Sequence, residues 1–519
     1  MRLKWWTDRT NQQVGAILLA GLLFRSFIAF WLPPGFDEAY YYIYTLNPAL
    51  SYFDHPPLVA LVTAIGIWLT GDVSQFTIRV GSLLLFPLTL YFLYRATVHL
   101  FSVRVGLLTL AIASVIPIFQ LGFGTFTLPD SPLMLFWALA LWIGAIEFFP
   151  RGFSPDRAYV PSYRIALLGL VVGLACLGKY HGFLLGFGLL GFCITSRRYW
   201  AVFRSPWTLL SFLLFLIAFS PVLYWNSQHE WISFVFQSNR SVPNRTYSLL
   251  MASLYLFPTF GLLLWFVSIQ EIISAVRSRF SNSIHSFVLW NSAPVFLIFT
   301  LIGGYQQILP GWTMPGFFAV TPLLGLYVSR WRSKTLKRWL IGSTIAIVTL
   351  LLIVLSHITL GTLQKPGQFA LFGGVVAPQD DASIQLIDVQ QLRREFSRSP
   401  KLLAALKNAD FMFSNRFHLA GHIAMALTPI NSTPITCFDR RDLRGFAFWS
   451  TATQWVGKNA LYITTDVFQT QEDSAAEFVP YFEKFTKLGE VELRRGGVVI
   501  DRIHVFQGTK LLKPFPRPY

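Results

Sequence analysis

The chain has 519 residues, of which 54% are hydrophobic, 16% aromatic and only 13% charged. Its mean hydropathy is +0.51, whereas a soluble domain carries about 25% charged residues, so a soluble globular protein is excluded and a polytopic membrane protein is expected. The net charge of +17 would suggest nucleic acid in a soluble chain, but the first 360 residues hold 23 basic against 10 acidic groups and the remainder 19 against 15, so the surplus belongs to the membrane part and no nucleic-acid partner is expected. Cys176 and Cys193 lie in apolar runs and Cys437 stands in the polar tail, which excludes a disulfide framework and a cysteine-type metal cluster.

Arg2, Lys4 and Arg9 precede an apolar stretch from Val14 to Pro33 with no small-residue cleavage site, which reads as an uncleaved first span. Counting apolar stretches of roughly 20 residues, with shorter ones allowed in tight hairpins, gives eleven spans in chain order. They run over 14–33, 79–98, 105–122, 132–149, 164–178, 182–195, 207–225, 248–270, 286–303, 313–329 and 338–358. Leu58 to Thr70 is shorter and is bounded by Pro56-Pro57 and Gly71-Asp72, so it reads as an interfacial helix of the first outer loop.

Lysines and arginines in short loops mark the cytoplasmic side. With the N-terminus inside, 18 of them fall in cytoplasmic segments, while Arg79, Lys179, Arg240 and Arg245 alone face outward. Making 58–70 a true span would move most of the later basic loops outside. The reading therefore places a transmembrane domain over 1–360 in the cytoplasmic membrane, and an extracytoplasmic domain over 361–519. This tail reads as a small α/β domain, with strands at Ala409–Ser414 and Ala460–Thr465 and a helix at Arg416–Leu427 between them. Val491–Arg494 and Val498–Ile503 flank Gly496-Gly497, a hairpin signal.

The outer loops, nearly free of basic residues, collect Asp37, Glu38, Asp54, Asp72, Asp130 and Glu230, six of the ten acidic residues of the membrane part. Carboxylates kept beside apolar surface are costly and mark functional sites. The first outer loop reads Gly35-Phe36-Asp37-Glu38-Ala39-Tyr40-Tyr41-Tyr42, then Tyr52-Phe53-Asp54-His55-Pro56-Pro57-Leu58. Further pieces are Thr127-Leu128-Pro129-Asp130-Ser131-Pro132, Leu177-Gly178-Lys179-Tyr180 and Ser220-Pro221-Val222-Leu223-Tyr224-Trp225-Asn226. Together they resemble the GT-C membrane glycosyltransferases of the protein mannosyltransferase superfamily, in particular the bacterial branch with lipid A aminoarabinose and galacturonic acid transferases. The likeness covers residues 14–330 and is looser in the tail.

The resemblance implies transfer of a sugar from a polyprenyl-phosphate donor to a lipid, glycan or protein acceptor at the outer membrane face, with inversion at the anomeric carbon. The residue chemistry agrees. Inverting transfer to a hydroxyl needs a carboxylate to take its proton, and Asp37 at the membrane boundary has that type and place, with Asp130 as the reserve. An acceptor phosphate, already anionic, would need only orientation. Glu38 is a further candidate of the catalytic set, but on a helix it points about 100° from Asp37 and cannot share its role. Lys179, the lone cation between two short spans, either offsets the phosphate charge of the donor or snorkels to the interface. Arg240, with Arg245, could hold the same phosphate or be solvated.

Asp54, His55 and Tyr40 read as support for the substrate site; Tyr40 belongs to a tyrosine cluster compatible with an interfacial belt or sugar stacking. Arg25, mid-span, is either the partner of an outer carboxylate or a buried structural ion. His55 could join Glu38 or Asp130 around a divalent ion, and His418 and His422 stand four apart, but nothing requires a metal or another cofactor. The competing readings are a lipid-linked-sugar transporter or flippase and a structural assembly factor. The first usually carries midplane ionisable groups and two related halves, whereas here the carboxylates sit at one face and no half-repeat appears.

Overall fold

A computed structural model of the chain describes residues 8–150, 158–240, 242, 244–256, 273, 282–469 and 475–519. Arg2, Lys4, Arg151, Arg157, Arg277, Arg279 and most of the 248–270 span lie outside the described residues. In chain order the membrane part forms helices α1 (Arg9–Trp31), α2 (Phe36–Leu46), α3 (Leu58–Thr70), α4 (Val80–Leu100), α5 (Val103–Ala113), α6 (Asp130–Phe148), α7 (Arg164–Gly178) and α8 (Gly182–Thr195). There follow α9 (Pro206–Gln228), α10 (Ile232–Asn239), α11 (Leu249–Leu256), α12 (Ser283–Trp290), α13 (Ala293–Tyr305), α14 (Met314–Val328) and α15 (Ser333–Leu360). Among the described residues six helical stretches are long and apolar enough to cross a membrane: Arg9–Trp31, Thr77–Leu100, Asp130–Phe148, Pro206–Gln228, Ser283–Tyr305 and Ser333–Leu360. With the shorter apolar helices between them they make a multi-pass membrane protein.

Two expected spans are interrupted, in each case at a proline. The run 105–122 breaks after Ala113, and Pro117 starts a separate turn that ends in the π-helical segment Phe119–Phe123. The run 286–303 divides at Asn291-Ser292, and Pro294 sits in the first turn of α13, where its missing N–H has no helical partner to lose.

The chain forms two compact units, one of Met1–Phe27, His55–Val59 and Ser82–Leu350, the other of Ile28–Asp54, Ala60–Gly81 and Leu351–Tyr519. In the first unit, α7 packs against α6 and α9. The α9 contact runs along Gly169 and Gly173: a Cβ at Gly169 would lie 2.0 Å from the Ser211 carbonyl oxygen, and one at Gly173 2.7 Å from the Ala218 Cβ. Small residues four apart let two helix backbones approach inside a bilayer, where apolar burial alone does not bring helices together.

The second unit holds α16 (Val389–Arg398), α17 (Pro400–Asn408), α18 (Phe417–Leu427) and α19 (Phe446–Trp449), with strands β1 (Phe411–Ser414), β2 (Ile435–Cys437), β3 (Ala460–Thr465), β4 (Phe482–Arg495) and β5 (Val498–Leu511). The sheet order is β2-β1-β3-β5-β4, with β2, β1 and β3 parallel and the β4/β5 hairpin antiparallel to β3. Gly496 and Gly497, at φ +55° and +79°, supply the two left-handed residues of a tight hairpin turn, and Arg495 pairs with Val498 across it. An aromatic core of Phe411, Phe413, Tyr462, Phe478 and Phe482 packs beside the sheet. In this same unit α18 packs on α2 so closely that a Cβ on Gly421 would meet the Ala39 backbone at 2.5 Å.

Candidate active site

The carboxylates of the first loop divide by environment. Asp37 is exposed in the first turn of α2, where the helix N-terminus favours negative charge. The next residue, Glu38, is 2% exposed. Its Oε2 accepts the Gly35 N–H at 2.9 Å, and Arg79 donates to both of its oxygens, Nε to Oε1 at 2.8 Å and Nη2 to Oε2 at 2.6 Å. The other donors of Arg79 go to the carbonyls of Ala29, Leu32 and Pro33. One buried guanidinium thus ties the carbonyl end of α1 to the start of α2. The fork geometry of arginine matches this task, which a lysine could not perform.

Asp54 is buried at the centre of a tyrosine web. Tyr44 and Tyr40 donate to its Oδ1, Tyr40 at 3.3 Å, and Arg444 donates to its Oδ2 at 3.0 Å. Tyr40 in turn accepts the Gly445 N–H at 2.8 Å. Tyr44 stacks on Tyr52 with ring centroids 3.8 Å apart, and Phe53 stacks on Tyr519 at 5.1 Å. Burial first, then the charge of Asp54, holds the phenols of Tyr40 and Tyr44 well above their usual pKa, so both remain protonated donors. Tyr41 is also raised, by burial first and then by Asp37 and Asp54.

In the first unit Asp130 opens α6 and Lys179 caps the end of α7. Lys179 Nζ lies 2.9 Å from both Asp130 oxygens, and each side chain is 10% exposed. Two residues on, His181 stacks on Phe299 at 4.6 Å. Burial, then the charges of Lys179, His55 and Arg240, holds its imidazole well below the usual pKa and keeps it neutral. The Arg240 guanidinium lies 4.9 Å over the Trp312 ring, and Trp312 also meets His181. Lys179 and Arg240 thus both act on His181, and the charge of Lys179 is balanced by Asp130.

Of the predicted residues, Asp37, Glu38, Asp54 and Tyr40 belong to the second unit and Asp130, Lys179, Arg240 and His55 to the first. Arg25, fully buried, donates to Gln120 Oε1 at 2.9 Å and lies over the Phe86 ring, so its contacts among the described residues are an amide and an aromatic face. His422 turns Nδ1 to the His418 carbonyl and Nε2 to that of Pro34, which makes it a strut between α18 and the loop before α2. Sequence reasoning missed Arg79, Arg444 and His181. Arg79 was legible only as an outward cation; its flanking Thr77-Ile78 and Val80, all apolar or small, are the one local sign of burial.

Comparison with known proteins follows the same lines. A family model described as dolichyl-phosphate-mannose-protein mannosyltransferase matches residues 54–225. Lipid A galacturonosyltransferase RgtD of Rhizobium johnstonii is 25% identical over 293 residues, which are 55% of this chain and 59% of that protein. The matched region thus spans less than two thirds of that relative. The structure of ArnT from Cupriavidus metallidurans in the apo state superposes with a TM-score of 0.64 at 15% identity, over 96% of this chain and 98% of that one. Its undecaprenyl-phosphate complex gives 0.63 at 16%, over the same shares. This chain therefore has the GT-C fold seen in ArnT: a polytopic helical membrane part with a small C-terminal sheet domain.

Proposed function

We propose that the chain is an inverting glycosyltransferase that moves a sugar from a polyprenyl-phosphate donor to a lipid acceptor at the outer face of the cytoplasmic membrane, with residues 361–519 extracytoplasmic. The observation that carries this reading is the division among its loop carboxylates. Glu38 and Asp54 are buried, whereas Asp37 is solvent-exposed in the first turn of α2, where an acceptor can reach it. In this reading Asp37 takes the proton of an acceptor hydroxyl as its oxygen attacks the anomeric carbon. The bond from that carbon to the phosphate oxygen breaks on the opposite face, and polyprenyl phosphate leaves with the electron pair. Lys179 and Arg240, with His55 near them, offset the phosphate charge. Glu38, Asp54 and Tyr40 position α2. Asp130 orients Lys179 and is the reserve base. An acceptor phosphate would remove the proton transfer and leave Asp37 an orienting role.

The likeness to a lipid A galacturonosyltransferase and to ArnT bound to undecaprenyl phosphate supports this donor and acceptor class. The test is to incubate purified protein with candidate polyprenyl-phosphate sugars and a lipid acceptor. Release of polyprenyl phosphate with an inverted product supports the reading. Translocation of the donor across vesicles without any such release would instead make the protein a flippase.

A further inference from the structure

A second cationic site lies where the ends of α4 and α6 meet the start of α7, at the opposite end of α6 from Asp130. A cavity of about 420 Å³ is lined there by Arg95, Val98, His99, Trp142, Ile146, Pro150 and Arg164. All belong to the first unit. Arg95 and Arg164 are among the 18 basic residues that the loop asymmetry assigns to the cytoplasmic side.

Arg95 is held in place by aromatic neighbours, and among the described residues most of its donors are open. Arg95 lies 5.0 Å over the Trp142 ring and 5.7 Å over the Tyr91 ring, and Nη1 donates to the Tyr91 hydroxyl at 2.9 Å. Trp142 is itself fixed by stacking on Phe92 at 5.4 Å. Among the described residues Arg95 makes no carboxylate ion pair, so its planar fork is ordered without its charge being cancelled. Glu147, next to the lining residue Ile146, accepts from the Tyr159 hydroxyl, the Ser162 N–H and the Ser162 hydroxyl and forms a longer ion pair with Arg164 at 3.8 Å, so it balances part of the Arg164 charge and leaves Arg95 the stronger anion donor. Arg164 keeps 37% of its side chain exposed. His99, which also lines the cavity, has Nε2 at 2.7 Å from the Phe149 carbonyl, which assigns the ring N–H to that oxygen.

We infer that this cavity binds the phosphate group of an anionic membrane lipid. Two guanidiniums on one opening recognise a tetrahedral oxyanion through paired N–H donors. Val98, Ile146 and Trp142 supply apolar walls for the adjoining glycerol and acyl chain. Basic pockets between transmembrane helices near the cytoplasmic boundary are the usual setting for such headgroups. The site uses none of the residues assigned to sugar transfer, so it stands apart from that assignment.

The probe is a delipidated sample of the full chain in mild detergent, titrated in separate arms with phosphatidylglycerol, phosphatidylcholine, polyprenyl phosphate and inorganic phosphate. Bound lipid is counted by native mass spectrometry and thermal unfolding is followed. Wild type should retain phosphatidylglycerol over phosphatidylcholine, and Arg95→Gln should weaken that retention at least tenfold while unfolding at the wild-type temperature without lipid. Arg95→Lys, which keeps the charge and loses the fork, should retain an intermediate amount. Because Arg164 also touches Glu147, Trp142→Leu serves as the second variant, and it should weaken retention by releasing Arg95. Equal binding of inorganic phosphate and lipid would support the phosphate site with a soluble occupant, and preference for polyprenyl phosphate would support it with that lipid. Retention unchanged in both Arg95→Gln and Trp142→Leu, or equal retention of phosphatidylglycerol and phosphatidylcholine, would overturn the inference.

Discussion

At the scale of single residues, adjacent carboxylates in α2 sit in opposite environments, and that difference is testable. Removing one member of a buried ion pair leaves the other charge uncompensated and costs about 3–5 kcal/mol. Glu38→Ala should therefore lower the thermal unfolding temperature and the yield of folded protein, with Glu38→Gln less severe because its amide oxygen still accepts from Arg79. A Glu38→Ala protein of wild-type stability but without turnover would move Glu38 into the chemistry instead. Lys179→Ala should weaken donor binding by about tenfold or more, which corresponds to about 1.4 kcal/mol, and Lys179→Arg should keep part of it. Equal donor affinity in wild type and Lys179→Ala would leave Lys179 only its pairing with Asp130.

A third residue controls pH response in the sheet domain. Asp501 is 5% exposed, and burial raises its pKa to about 7, against the two backbone N–H donors of Arg502 and Asp466 that lower it and the neighbouring charge of Asp466 that adds to the rise. In the unfolded chain the group titrates near its ordinary value, so between about pH 4 and 7 the folded state holds a proton the unfolded state has released. Stability therefore falls as pH rises through that window, by at most about 4 kcal/mol for a shift of about three units. Asp501→Asn keeps an oxygen for both N–H donors and removes the charge. Its unfolding temperature should exceed that of wild type at pH 8, exceed it by less at pH 5 and match it at about pH 3; a difference of the same size at all three would rule the titration out.

At the scale of elements, the sequence was readable wherever one physical signal dominated. Short runs rich in apolar and β-branched residues marked β1 and β3, Gly496-Gly497 marked the hairpin, and the apolar run of α18 marked the helix between the strands. The full 14 residues of β4 were hidden because Lys484, Thr486 and Lys487 make its first half read as loop. β2 has only three residues and no periodicity to detect. Among the spans, Pro117 and Pro294 were visible but were outweighed by the hydropathy of the windows around them. Among the candidate site residues, Asp130 and Lys179 stood out as charges in apolar surroundings and Asp37 as half of an acidic pair after the first span. The partners of Glu38 and Asp54 did not: Arg79 lies 41 residues from Glu38 and Arg444 lies 390 from Asp54, distances that no local pattern encodes. Helix contact gives a further prediction. Gly169→Leu should separate α7 from α9 and lower the unfolding temperature in detergent, whereas Gly15→Leu, where a Cβ meets nothing within 4 Å, should leave it unchanged.

At the scale of the whole molecule, the account rests on which side of the membrane the loops occupy. Reporter fusions after Thr70 and after Gly361 should both report the extracytoplasmic side, as the 18 to 4 distribution of basic residues requires. A cytoplasmic signal at either would place the donor site on the wrong face. The central claim is that Asp37 is the base of an inverting sugar transfer, and it is tested most directly by measuring kcat for Asp37→Asn and Asp130→Asn side by side, with donor binding followed in the same samples. Loss of a general base costs about 10² to 10⁴ in rate, so Asp37→Asn should lose that much turnover while still inserting and binding donor. Near-normal turnover in Asp37→Asn, whatever Asp130→Asn does, would contradict the account.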